Sequence, residues 1–277
     1  MILRRVIEHF RRQEWTAIAL DFVIVVAGIL IAFQITNWND RRAEHARAIS
    51  YLERMDDDLA ADIATYRRRG LAFWKAVSGY GYRAINFADK GDMGGKTYWQ
   101  LLVAFFQASQ ADLFAVTQAT YDEMTSAGEL GLISDVALRK RLSVYYSNSY
   151  FQALSESPDY RVHVRGAMPV DIQDYIWERC FKSDPYNGQS MIDCDAPVSE
   201  ERAMEIVDAL AGDAALMSEL RYWLSTMRVA AVIARDRIEF AQDLRNAIAA
   251  ALDEEERDLI PRNGPQARVS KDAKEKS

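Results

Sequence analysis

From Trp15 to Trp38 the chain reads WTAIALDFVIVVAGILIAFQITNW, and between Ala17 and Ile35 only Asp21 and Gln34 are strongly polar. A helix rises about 1.5 Å per residue, so this stretch is about 35 Å long. That length matches a hydrocarbon core of about 30 Å with Trp15 and Trp38 at its two boundaries. A buried helix of a soluble protein is seldom apolar all round over such a length. A cleaved export signal has a shorter apolar stretch, about 7–15 residues, and a small-residue site at its end. Here the run ends in Phe33-Gln34-Ile35-Thr36. The stretch reads as an uncleaved signal anchor, with the lipid bilayer as its first partner.

Arg4, Arg5, Arg11 and Arg12 precede the span, and Arg41, Arg42 and Arg47 follow it. This narrow excess favours the N-terminus in the cytoplasm and the bulk of the chain outside. Residues 1–14 place Ile2, Leu3, Val6, Ile7 and Phe10 on one face with arginines beside it, a basic amphipathic segment suited to an anionic leaflet. Within the span, Asp21, Val25, Gly28 and Ala32 share one helix face. Gly28 and Ala32 form a small-xxx-small pair, so this face is the candidate helix–helix contact. Asp21 is shallow, and its plainer reading is a carboxylate that reaches the headgroups.

The chain has 277 residues and a net charge of −7. The part beyond the anchor is long enough for one sizeable core or two small ones, and the acidic balance argues against a nucleic-acid partner. His9, His45 and His163 lie far apart, and no metal-ligand spacing appears. No proline occurs before Pro158, which leaves long helices uninterrupted in the first half.

Beyond Trp38 the helix is expected to continue, with Ile49, Leu52, Leu59, Ile63 and Tyr66 as a heptad-like stripe. Asp56, Asp57 and Asp58 fall mostly off that stripe and read as a solvated face. Gly79 and Gly81 suggest a kink within 71–88. The segment Gly91 to Thr97 imitates a phosphate loop at its end, but Lys90 stands where the first glycine belongs. A turn followed by a helix capped at Thr97 is the expectation. The pattern predicts a helix over 98–118, another from a cap at Ser134 to about Leu154, a short one within 167–182, and a loop over 183–197. The aromatics of 98–118 read first as core and second as a ligand pocket. Ser199 should cap a further helix. After a break at Gly212-Asp213, a long helix should run to about Glu256 and pack antiparallel against the one leaving the membrane.

Cys180 and Cys194 are the only cysteines. Free thiols, a metal pair and a disulfide are all open. The disulfide suits an anchored, exported domain, and closing a loop of about 15 residues contributes about 3 kcal/mol in the chain-entropy model.

Gln13-Glu14-Trp15 before the anchor and Gln34-Ile35-Thr36-Asn37-Trp38-Asn39 at its end resemble a bacterial family of single-pass membrane proteins defined only as a domain of unknown function. Gly128 to Ile133, Leu138-Arg139 and the late cysteine pair also look like that family. The resemblance implies an anchored helical domain in the inner membrane of a Gram-negative bacterium, and it carries over no catalytic residue.

The expected fold is all-α, with one transmembrane helix continuing into an extracytoplasmic antiparallel bundle. The expected segments are a cytoplasmic piece at 1–14, the span at 15–38, the helical domain at 39–256 and a disordered polar tail at 257–277. No nucleophile elbow, H-E-x-x-H or complete phosphate loop occurs, so no catalytic, cofactor or metal residue is assigned. A non-enzymatic binding, scaffolding or assembly role is the leading expectation, with a homo-oligomer or a membrane protein as partner. A small-ligand sensor signalling through a membrane partner is the alternative.

Overall fold

The structure, a computed structural model, describes residues 15–112, 114–147, 158–184 and 188–259. The amphipathic segment at 1–14, the helix end near Leu154 and the tail beyond 259 lie outside the described residues. So does the side chain of Trp15.

Helix α1 runs unbroken from Trp15 to Thr65. Its N-terminal part contains the candidate span, with a mean hydropathy of 2.3 over the most apolar window. Leu20, Phe22, Ile24, Leu30, Ile31 and Ile35 are all exposed. The chain divides into two compact units, one built on the helix up to Tyr51 and one spanning Leu52–Glu254. In the second unit, Tyr66–Ala72 is π-helical and leads into α2, Phe73–Lys90. There follow α3, Tyr98–Gln107; α4, Ala119–Ser126; α5, Val136–Ser147; α6, Asp159–Ala167; and α7, Val170–Arg179. A hairpin pairs β1, Phe181–Asp184, with β2, Gly188–Met191, in antiparallel register from Phe181 opposite Met191 to Asp184 opposite Gly188. Helices α8, Glu200–Gly212, and α9, Ala214–Leu259, complete the described chain.

The long helices of the second unit pack antiparallel, as the apolar stripes require. Asp56 meets Arg245, Gly70 faces Ala234, Gly81 faces Leu220 and Leu224, and Asp89 meets Arg221. One partner number falls as the other rises. Both surfaces follow strict heptad spacing. On one side Leu52, Met55, Leu59, Asp62 and Tyr66 are buried. On the other, Leu220, Trp223, Met227, Ala230, Ala234, Arg237, Ala241, Leu244 and Ile248 are buried. Spacings of three and four residues alternate throughout, the pattern that keeps a seam on one helix face. Helix α3 is buried along nearly its whole length and contacts both α2 and α8. Its aromatics are core: Trp99 is 2% exposed, and Phe105 and Phe106 are fully buried.

Local chemistry explains the ends. Thr97 and Gln100 form the reciprocal capping box of α3. Ser199 caps α8 by accepting from the Arg202 N–H. Asp213 caps α9 by accepting from Ala215 and Leu216. Gly91 closes α2 in the left-handed region at φ 67°, the usual role of a glycine there.

Four expectations need correction. Helix α2 passes through Gly79 and Gly81 without a break, and the irregular turn lies at Tyr66–Ala72 instead. Gly81 is there for packing, since a Cβ would meet Leu224 Cδ2 at 2.7 Å. The helix expected over 98–118 ends at Gln107, because the next polar groups take other partners. Ser109 Oγ donates back to the Phe106 carbonyl, and the Thr117 N–H donates to Asp62. The cap of α5 is Asp135, not Ser134. Asp135 Oδ1 accepts from the N–H groups of Ala137 and Leu138 at 2.7 and 3.2 Å. The loop expected over 183–197 contains β2 and the end of β1.

Candidate functional site: a buried polar cluster in the helical seams

Asp62 and Arg237 are the acid and the base among the described residues of seams otherwise built from apolar and aromatic side chains, 1% and 8% exposed. Tyr145 of α5 joins them. Its O–H donates to Asp62 Oδ2 at 2.9 Å, while its backbone carbonyl accepts from Arg237 Nη2 at 2.7 Å. The guanidinium carbon also stands 3.9 Å from the centre of the Tyr145 ring, a cation–π geometry. The other Asp62 oxygen accepts from the Thr117 N–H at 2.7 Å. The carboxylate is thus bonded at both oxygens but lacks a direct salt bridge among the described residues.

Burial dominates the electrostatics. It pushes the Asp62 carboxyl up from 3.8 to about 6, opposed by the Thr117 and Tyr145 hydrogen bonds; Asp58 adds to the rise and Arg237 opposes it. Burial also raises the Tyr66, Tyr145 and Tyr146 phenols. Arg237 Nε and Nη1 and the Tyr146 hydroxyl have no hydrogen-bond partner among the described residues. Such groups are costly to bury, and a polar residue at a heptad core position typically trades stability for a defined register. The arrangement can hold or release one proton at Asp62.

Asp56 lies at the edge of a separate open cleft. Arg245 donates to both its oxygens at 2.8 Å. The cleft has a volume of about 390 Å³ and is lined by Glu53, Asp56, Asp57, Gln242, Arg245 and Asn246 with Ala249 and Leu252. Among the described residues no aromatic side chain lines it. Asp58 turns away from it and accepts weakly from the Thr120 N–H at 3.4 Å. Asp57 is exposed, as a solvated face requires, while Asp56 and Asp58 are half-buried and each takes a partner. Among the described residues, no group of three or more His, Cys, Asp or Glu side chains could hold a metal ion.

Cys180 and Cys194 lie at disulfide distance, with Cα atoms 5.1 Å apart at the base of the hairpin. The Cys180 carbonyl accepts from Gln107 Nε2 and from the Ile192 N–H. Asp21, Val25, Gly28 and Ala32 are exposed on α1, and a Cβ on Gly28 would meet nothing within 4 Å. Thr36 Oγ1 donates to the Ala32 carbonyl on this face. Trp38 is exposed, with the Arg42 guanidinium 5.7 Å from its ring centre.

The reading by residue type missed Asp62, Arg237 and Gln107. A stripe through Ile49, Leu52, Leu59 and Ile63 steps past residue 62. Strict alternation of three and four from Leu52 lands on Asp62, and the same rule from Leu220 lands on Arg237. No family model, no curated protein and no solved structure matches this chain.

Proposed function

We propose that this chain is a membrane-anchored helical domain with a non-enzymatic binding, scaffolding or assembly role, and that it belongs with the single-pass family its Trp15–Asn39 segment resembles. One observation carries the reading. Large apolar side chains from Leu20 to Ile35 are exposed around α1, about 50–70% each for most of them, while the same helix continues into the buried seam from Leu52 onward. Lipid is the environment that covers such a surface. The arginine balance around the span and the cysteine pair at disulfide distance support a cytoplasmic N-terminus and a periplasmic domain in a bacterial inner membrane. The unpartnered Gly28 and Ala32 face supports association with a second membrane helix, from another copy or another protein.

The experiment is site-directed crosslinking in native membranes followed by mass spectrometry. The expected result is a discrete partner or homo-oligomer, lost on Gly28→Leu. Unchanged crosslinking in that variant refutes the face, and a soluble protein after cell fractionation refutes the anchor. The second reading, a sensor of a small ligand, rests on the open cleft between Asp56 and Asn246. It predicts a ligand-dependent thermal shift that Asn246→Ala removes.

A further inference from the structure

A second polar assembly sits away from the seam, where α6 crosses the end of α3. Arg161 and Arg165 are four residues apart on α6, on one face. Both reach the same residue. Arg161 Nη1 donates to the Ser109 carbonyl at 3.2 Å, and Arg165 Nε donates to Ser109 Oγ at 3.0 Å. Arg165 Nη2 donates to Gln110 Oε1 at 3.1 Å. Its guanidinium also stands over the Phe106 and Trp177 rings, 5.0 and 5.1 Å from their centres. Behind it the amides run in series: Gln110 donates to Gln107, and Gln107 donates to the Cys180 carbonyl. Ser109, Gln110 and Gln107 are all buried, at 0%, 1% and 0% exposure. The Arg165 head is therefore held in place before any ligand arrives.

Neither arginine has a carboxylate partner among the described residues. Asp112, two residues beyond Gln110, and Glu219, which reaches α6 at His163, are engaged elsewhere. Asp112 is bound through both oxygens by Arg69, and Glu219 lies 2.7 Å from His163 Nδ1. Arg161 Nε and Nη2 and Arg165 Nη1 carry N–H groups with no acceptor among the described residues, and they are not sealed from solvent. Two like charges held side by side and half-buried repel each other and lose hydration. Burial lowers both guanidinium pKa values, that of Arg165 to about 10 with Arg161 adding to the effect. A chain of net charge −7 has no general basic surplus that would place them there by composition.

We propose that Arg161 and Arg165 form a binding site for a dianionic phosphate group, either inorganic phosphate or a phosphate monoester. Two guanidinium charges match a dianion. The outward N–H groups suit the several oxygens of a phosphate better than one carboxylate. The Ser109 and Gln110 contacts and the two rings supply the preorganisation that lowers the ordering cost of binding. The inference goes beyond the anchored binding domain and does not depend on its membrane partner.

The test uses the full chain in mild detergent at constant ionic strength. Inorganic phosphate and glycerol phosphate are titrated separately, read by calorimetry and by thermal shift. The expected result is saturable binding by at least one probe. Arg161→Gln should weaken it about tenfold or more, the loss of a charged hydrogen-bond donor. The Arg161 side chain makes one hydrogen bond among the described residues and is only half-buried, so this variant should melt like the parent without phosphate. Arg202→Gln, at an exposed pair with Glu205, should bind like the parent. Saturation by glycerol phosphate alone identifies a monoester ligand, and saturation by inorganic phosphate alone identifies the free ion. No saturation by either probe overturns the proposal, as does equal binding by parent and Arg161→Gln.

Discussion

Replacing Asp62 by asparagine should remove a pH dependence of stability that the parent chain carries. The carboxyl has its pKa raised from 3.8 to about 6 in the fold. At about 1.36 kcal/mol per pH unit this corresponds to about 3 kcal/mol. The sign follows from proton counting. Below about pH 3 the group is neutral in both states, and the fold has its full stability. Between about pH 4 and 6 the unfolded chain has lost the proton and the folded chain retains it, so stability falls as pH rises. Above pH 6 the loss is complete. The asparagine variant would have no proton to lose at this position. Its amide retains an oxygen to accept from Thr117, and any fixed cost of that amide is independent of pH. The assay is urea unfolding of the full chain in mild detergent, followed by tryptophan fluorescence from about pH 3 to 8. All other groups titrate alike in both proteins, so the difference between them isolates residue 62. That difference should change by about 3 kcal/mol, or about 1 M in midpoint for an m-value of about 3 kcal/mol/M. A constant difference across the range refutes the burial argument.

Other consequences can be measured separately. Cys180→Ala should lower stability by about 3 kcal/mol under oxidising conditions, and reductant should bring the parent down to the variant; thermal melts with and without reductant read this, and identical melts of both proteins in oxidising buffer would show the pair is unbonded. Gly81→Val should cost about 1–3 kcal/mol by forcing Leu224 aside. Gly79→Ala, with open space and helical backbone, should instead stabilise by about 0.5–1 kcal/mol. Paired chemical denaturation of these two variants checks that packing, not a kink, explains Gly81 and that Gly79 has no such constraint.

The two seams show how much was visible beforehand. Apolar periodicity identifies the helices because one face must leave water, and it correctly carries the antiparallel partnership of the long helices. It fails at Asp62 and Arg237, because residue type and position conflict there: an acid and a base occupy positions whose spacing demands burial. Reading by hydrophobicity skips them, and reading by strict spacing finds them. The Arg161 and Arg165 site was hidden for another reason. Its partners, Ser109, Gln110 and Trp177, come from separate parts of the chain.

Caps were legible at Thr97 and Ser199, and a break at Gly212-Asp213, where a short side chain bonds its own neighbourhood; the cap of α5 falls one residue later than expected, at Asp135 instead of Ser134. The end of α3 was not legible, because Gln107, Ser109 and Thr117 find their partners 55 or more residues away, or leave helical bonding to reach the preceding turn. The hairpin escaped for a similar reason: Phe181–Asp184 and Gly188–Met191 have little strand propensity, and the nearby cysteine pair and the Cys180 carbonyl tie the base together. The amino-acid sequence alone determined the apolar helix, the helical class and the long antiparallel seam, since these follow from local periodicity and transfer from water. Only tertiary structure decided which polar groups share a buried environment, because desolvation and hydrogen bonding depend on residues that distant segments bring together.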